Sequence, residues 1–330
     1  GTCVGIARLH YGINENTYDL VVIDEASRAS SSELAIAMQI GRKIVLVGDH
    51  KQLPPLYKDE DIQEVYKQIG VSKEELKRSD FERSFLSSYG KIVGQRLSIQ
   101  YRMAPPIGDL ISDCFYDSQL KTGRDVSNKV FDNLPENLGT TVTWFDTSNV
   151  QEKAYERTPL ARNLTTSTSK ENNYEANLII ELIRHLSEAP QLKEFLKSKE
   201  SPQIGVICMY KEQVRLIREK LRSRNWLRRL EDEGVLKIDT VDSYQGKENS
   251  IIIVSLVRNN KAKNIGFLRS ENRANVALSR AKERLYIVNS TNMWTESNSS
   301  SAFGKVLSYI QRKESSNYKI IDSTNLLGGE

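Results

Sequence analysis

Four apolar runs in this chain stop abruptly at an acid, a glycine or a charged residue: LVVIDE at 20–25, KIVLVGD at 43–49, IGVICMY at 204–210 and IIIVSLVR at 251–258. Short continuous runs so rich in β-branched residues suit strands covered on both faces, as in a parallel sheet. Helical patterns stand between them. Residues 175–188 place Ala176, Ile179, Ile180 and Ile183 on one face, and residues 211–224 do the same with Val214, Ile217 and Leu221. Strand, helix and strand in alternation predict an α/β fold. In such sheets ligands gather beyond the carboxyl ends of the strands, so the residues that close each run, Asp24-Glu25, Gly48-Asp49 and Arg258, are the first candidates for a site.

The chain of 330 residues predicts two domains. No apolar run approaches the roughly 20 residues a spanning helix needs, so no membrane segment is expected. Three cysteines, Cys3, Cys114 and Cys208, show neither disulfide-framework nor zinc spacing and suggest a reduced, cytoplasmic protein. With only three histidines, the chemistry falls to carboxylates and arginines. The start at Gly1, with no charged leader before an apolar stretch, suggests no signal peptide and a fragment of something longer. The net charge of +4 lies wholly after Met103, with eight Lys/Arg against two Glu at 211–229, which fits either a nucleic-acid surface or a solvated helix face. A stretch at 104–174 mixes signals. It holds one strand at Thr140–Asp146, a hinge at 104–106 and a polar surface loop at 162–173, and the Asn/Ser-rich residues 289–301 read as another exposed loop.

Five constellations carry chemistry. VVIDEAS sets Asp24 and Glu25 at the end of a buried strand, where a metal is a natural partner; in P-loop NTPases such an Asp holds Mg²⁺ and the next Glu polarises water. VGDHKQLPP repeats the geometry and adds Gln52, a neutral amide that can sense a γ-phosphate. LSIQYRMAPP offers Tyr101 as a flat ring for stacking and Arg102 as a fixed positive fork for phosphate oxygens. TVDSYQGKE supplies Gly246 for close backbone approach, Glu248 to accept from a ribose hydroxyl, and Thr240 and Ser243 to donate to a phosphodiester backbone. SENRANVALSRAKERLYIV reads as a helix running into a strand, with Arg273 and Arg280 on one helical face; one of them can serve as an arginine finger.

In this order and at these intervals, the five segments resemble motifs II to VI of superfamily 1 helicases, in the 5′-to-3′ branch that includes the nonsense-mediated-decay RNA helicases and their bacterial and DNA-acting relatives. GTCVGIA resembles motif Ib. The resemblance implies two RecA-like P-loop NTPase domains with parallel sheets, the first incomplete at its N-terminus. It implies ATP and Mg²⁺ as cofactors, single-stranded DNA or RNA as partner, no membrane association, and a monomer. By matching position, Asp24 would hold Mg²⁺, Glu25 would be the catalytic base, Gln52 the γ-phosphate sensor, Tyr101 the adenine stack and Arg102 a γ-phosphate contact. Gly246 and Glu248 would touch nucleotide, Arg280 rather than Arg273 would be the finger, and Thr2 and Thr240 would hold the strand, beside Ser243 as read from the residues above.

The sequence contains no G-x-x-x-x-G-K-[ST] loop: Gly90-Lys91, Gly246-Lys247 and Gly304-Lys305 are followed by Ile, Glu and Val. With the other motifs intact, truncation explains that absence better than decay. The expected layout is therefore 1–103 as the later part of the first domain, with helices over 57–90, and 104–330 as the second. The parent is expected to be an ATP-driven helicase or translocase. The alternative for the chain alone is a nucleic-acid-binding or interaction module without turnover.

Overall fold

The computed structural model describes residues 1–6, 17–124, 128–159, 169–197 and 202–327. The chain divides between Arg96 and Leu97 into two compact units. The division comes before the expected Met103, and the physical reason lies in the QYRM segment. Strand β3 (Ile99–Gln100) pairs in parallel with β4 (Lys121–Thr122), and Ala104 N–H donates to Lys282 O at 2.7 Å, so this segment belongs to the second unit.

The first unit contains β1 (Tyr18–Ile23) and β2 (Gly41–Leu46), which pair in parallel. Between them runs the helix Ser31–Met38. It starts on a capping box in which Ser30 and Glu33 satisfy each other's backbone N–H. Leu34 and Ala37 bury one helix face against Ile23, Ala26 and Phe81. Short helices between Asp59 and Val93 complete the unit, as expected. Coverage on both faces does not hold here: Leu20, Val22 and Val45 are 53%, 57% and 44% exposed, because the neighbouring helix packs on one side only.

The second unit is built on six parallel strands in the order β10-β5-β9-β8-β6-β7. They are β5 (Val142–Asp146), β6 (Ile204–Cys208), β7 (Leu236–Thr240), β8 (Asn249–Ser255), β9 (Ala281–Asn289) and β10 (Tyr318–Asp322). Here the β-branched runs are covered on both faces; Ile251, Ile252, Ile253 and Val254 have no exposed surface. The helices Asn173–Glu188 and Lys211–Arg222 lie where periodicity placed them and bury Ile179, Ile183, Val214, Ile217 and Leu221 against this sheet.

Three local expectations fail. The hinge at 104–106 is the start of a buried helix, Pro105–Phe115: two prolines at its first positions cost no hydrogen bond there, and Ala104 and Ile107 are fully buried. The Asn/Ser-rich tract 289–301 is partly core. Asn289 is fully buried and receives the indole N–H of Trp294, whose ring packs 5.3 Å from Phe303. Of the polar tract 162–173, residues 162–168 lie outside the described residues; Glu171 and Asn172 are buried rather than on the surface. Among the described residues no helix is long and apolar enough to cross a membrane, and all three cysteines are free thiols.

Candidate functional site

In the first unit the chemistry sits at the carboxyl ends of β1 and β2. Past Ile23 the chain turns, and Glu25 adopts a left-handed backbone with φ of 55°. That conformation costs a non-glycine residue roughly 1 kcal/mol and persists where surrounding bonds enforce it. Here Asp24 Oδ1 accepts Glu25 N–H at 2.9 Å, and Glu25 O accepts Arg28 N–H at 2.9 Å. Both carboxylates are exposed. The second loop comes close because residue 48 is glycine: a Cβ there would lie 2.9 Å from Ser27 N. Asp49 N–H donates to Ser27 Oγ at 3.3 Å, and Asp49 in turn accepts the Gln52 side-chain amide at 2.8 Å. The two acids of VVIDEAS and the amide of VGDHKQLPP thus stand on adjacent loops. His50, which follows Asp49 and lies 5.6 Å from the Phe85 ring, has its pKa lowered by burial.

In the second unit the corresponding residues gather at the amino ends of β8 and β9, opposite to the end that the general rule for parallel sheets indicated. Arg102, after β3, places Nε 2.5 Å from Glu248 Oε2, just before β8. Lys282, in β9, reaches the other oxygen of Glu248 at 2.7 Å. Burial pushes the Glu248 carboxyl up, but hydrogen bonds from Lys282 and Arg102 outweigh it and hold the carboxyl below its ordinary value. Arg102 Nη1 also donates to Ser279 O at 3.4 Å, which brings it beside Arg280. Arg280 is 2% exposed, and its guanidinium donates to Val276 O at 3.1 Å and Ser279 Oγ at 3.0 Å. Tyr101 is 69% exposed on the same loop. Gly246 has φ of 76° with nothing near an added Cβ, so its turn, rather than a close approach in this structure, requires glycine.

Arg273 and Arg280 do not share a helical face. The helix Glu271–Leu278 ends before Arg280, and Arg273 turns away to pair with Asp242 at 3.2 Å and lie over Phe267. Thr240 closes β7 at the carboxyl side, with its Oγ1 3.3 Å from Ser243 Oγ. Through Cys208, Thr240 is level with Ser255 at the carboxyl end of β8, whereas Glu248 precedes the amino end of that strand. Thr2, in the first unit, is exposed and caps the turn Cys3–Ile6 by accepting Gly5 N–H at 2.9 Å. In the basic stretch at 211–229, Arg215, Arg218, Arg224 and Arg228 are tied to Glu212, Glu231, Glu181 and Asp232, the pattern of an ion-paired helix surface.

Sequence reasoning missed Lys282 and Gln100. The Gln100 side chain accepts Met103 N–H at 2.8 Å and donates to Met103 O at 3.1 Å and Thr122 Oγ1 at 2.9 Å, stapling the loop that carries Tyr101 and Arg102. Lys282 could have been found from the motif itself, since it follows Arg280 by two residues and so lies near it whatever the fold. The signal for Gln100 is weaker, because an amide beside an aromatic has many readings.

Residues 76–292 match a family described as AAA domain, and residues 1–60 match a second family with the same description. The chain belongs to the AAA-domain family. Two of the relatives it matches are named as helicases. It is 33% identical over 283 residues to the DNA polymerase alpha-associated DNA helicase A of Schizosaccharomyces pombe, covering 83% of this chain and 37% of that protein. It is 30% identical over 307 residues to the DNA replication ATP-dependent helicase/nuclease of Saccharomyces cerevisiae, covering 88% of this chain and 18% of that protein. This AAA-domain chain therefore spans well under half of the curated relatives it matches. Among solved structures, arterivirus nonstructural protein 10, a helicase, is similar with a TM-score of 0.38 at 15% identity over 83% of this chain and 39% of that one.

Proposed function

We propose that the protein carrying this chain is an ATP-dependent superfamily 1 helicase or translocase that moves along single-stranded DNA or RNA as a monomer. The observation that carries the reading is the convergence at the amino ends of β8 and β9. Arg102, Glu248 and Lys282 come from three separate segments and meet within 2.7 Å. A cationic group so built, next to the buried Arg280, suits an oxyanion such as a phosphate.

Asp24 and Glu25 fit Mg²⁺, which is bound through one or two carboxylates with water and substrate phosphate completing its shell. Among the described residues no group of three or more His, Cys, Asp or Glu could hold a metal ion by itself. Bound there through Asp24, the ion would supply charge to the phosphate oxygens. Glu25, carried on the left-handed turn after β1, takes the proton of the attacking water. The Gln52 amide, oriented by Asp49, donates to the γ-phosphate or to that water without bringing a second charge. Arg102 and Arg280 neutralise negative charge as the terminal phosphoryl leaves. Tyr101 stacks on the adenine, Glu248 accepts from the ribose hydroxyls, and Gly246 lets the backbone pass beside the nucleotide. Thr2, Thr240 and Ser243 donate to the strand's backbone. The loss of the γ-phosphate then frees Arg102 to return to Glu248, which couples hydrolysis to movement.

The test is ATP hydrolysis stimulated by single-stranded nucleic acid in the full-length protein. Glu25→Gln is expected to lower kcat roughly 100- to 10,000-fold, the span of general-base contributions. Wild-type turnover in that variant would remove Glu25 from the mechanism. The chain alone, which has no G-x-x-x-x-G-K-[ST] loop, is expected to turn over ATP weakly or not at all while retaining salt-sensitive oligonucleotide binding.

A further inference from the structure

The loop Tyr101-Arg102 is held from below by a strand that none of its motifs includes. Gly123 N–H donates to Gln100 O at 2.8 Å, extending the short β3–β4 pairing. A Cβ on Gly123 would lie 2.4 Å from Tyr101 Cε1 and 2.7 Å from Ile99 Cγ2, so the tyrosine ring rests directly on that glycine. The next residue, Arg124, turns its guanidinium under the loop. Its Nη1 donates to Arg102 O at 2.9 Å and to Lys282 O at 3.4 Å, bridging the loop to β9. Its Nη2 is paired with Glu283. The Glu283 side chain is only 8% exposed and its second oxygen accepts Asn128 N–H at 2.9 Å, so the carboxylate is fixed at both ends. A carboxylate this enclosed is costly without its cation, which ties Arg124 to this one place.

We infer that Arg124, anchored by Glu283, is a positioning residue for Arg102, and that Gly123 positions Tyr101 by leaving room for its ring. The inference rests on the nucleotide roles proposed above for those two residues. Arg124 touches the backbone carbonyl of Arg102, so it sets where the Arg102 side chain begins. A lysine keeps the charge opposite Glu283 but has no rigid fork to bridge two carbonyls. Arg124 and Gly123 therefore separate two effects: the first governs charge neutralisation in the transition state, the second the seat of the base.

Steady-state ATP hydrolysis by the full-length protein tests this. Arg124→Ala and Arg124→Lys are expected to lower kcat roughly 10- to 100-fold with little change in KM, the loss typical of a catalytic group displaced by about 1 Å. Gly123→Ala is expected to raise KM for ATP with kcat nearly kept. The discriminating measurement is the double variant Arg102→Ala/Arg124→Ala. If Arg124 acts through Arg102, the double variant is no slower than Arg102→Ala; a purely structural role would make the two losses multiply. Multiplying losses, or wild-type kcat in Arg124→Lys, overturns the inference while leaving the helicase reading in place. A wild-type protein without ATP turnover overturns both. If Arg124→Ala does not fold, the lysine variant, which keeps the ion pair, decides the question alone.

Discussion

The two units place their candidate nucleotide chemistry at opposite ends of their sheets. In the first, acids and an amide sit on loops beyond the carboxyl ends of β1 and β2, within a two-stranded sheet whose outer face is half bare. In the second, arginines and a lysine sit at the amino ends of β8 and β9, within a six-stranded sheet covered on both sides. The difference is one of construction. A carboxyl-end loop can be built locally: Asp24, Glu25 and Gln52 are held by residues within about two dozen positions of themselves. The amino-end cluster is assembled from distant segments, with Arg102, Arg124, Glu248 and Lys282 meeting across the sheet. Local strain shapes the first site, and long-range ion pairs shape the second.

Unfolding experiments can break this comparison, because all three tryptophans, Trp144, Trp226 and Trp294, lie in the second unit and their fluorescence follows that unit alone. The largest effect is expected at the buried sheet. Ile253→Ala, fully buried in β8, should cost about 2–5 kcal/mol in a urea melt followed by tryptophan fluorescence. Val22→Ala, 57% exposed in β1, should cost less than about 0.5 kcal/mol when the first unit is followed by hydrogen exchange of its own amides. Equal costs would show that the outer face of β1 is covered in solution.

Next in size is a pH effect. Glu175 is fully buried and receives hydrogen bonds from Ser255 Oγ, Val257 N–H and Asn289 Nδ2, yet burial raises its pKa to about 7 from an ordinary 4.5. Between those values the native protein holds a proton that the unfolded chain has released. Stability of the second unit should therefore fall as pH rises from 4.5 to about 7, by roughly 3 kcal/mol from this one group. The same series on Glu175→Gln should lack that slope; a slope unchanged by the substitution would mean that the three donors keep the carboxylate ionised throughout.

The smallest effect is expected at Glu248. Its carboxyl titrates below its ordinary value, so the stability it contributes is present above the ordinary carboxylate range and is lost as pH falls through its native pKa. With the Arg102 and Glu248 side chains 36% and 37% exposed, the pair is worth under about 1 kcal/mol. Glu248→Gln should leave the melt nearly unchanged at neutral pH while weakening nucleotide binding. A large loss of stability would make the cluster a structural one.

How much of this was legible in the sequence follows the same division. The strands 204–208 and 249–255, the helices at 173–188 and 211–222, and the acid and amide loops of the first unit all lie where local pattern put them, because each depends on neighbours in sequence. The amino-end location of Glu248 and Arg280 follows from their standing directly before apolar runs; what was not legible is that Arg102 meets Glu248 there, because that depends on the path of the chain over the 146 positions that separate them. Pro105 and Pro106 pointed to a hinge because proline ends helices as readily as it starts them, and only the burial of Ile107 and Leu110 settles which. Trp294 and Met293 were hidden in an Asn/Ser-rich tract whose average composition outweighed two core side chains. The bond from Arg124 to the Arg102 loop left no mark at all in the pattern of residues.

The most direct test of the central claim, that both units serve one hydrolytic reaction, is phosphate release by the full-length protein under single-strand stimulation. It compares Glu25→Gln, Arg280→Ala and the double variant. Each single variant is expected to lose at least about 100-fold in kcat, and the double to be no slower than the slower single, because residues of one catalytic unit do not contribute independently. Wild-type turnover in Arg280→Ala, or losses that multiply in the double variant, would contradict it.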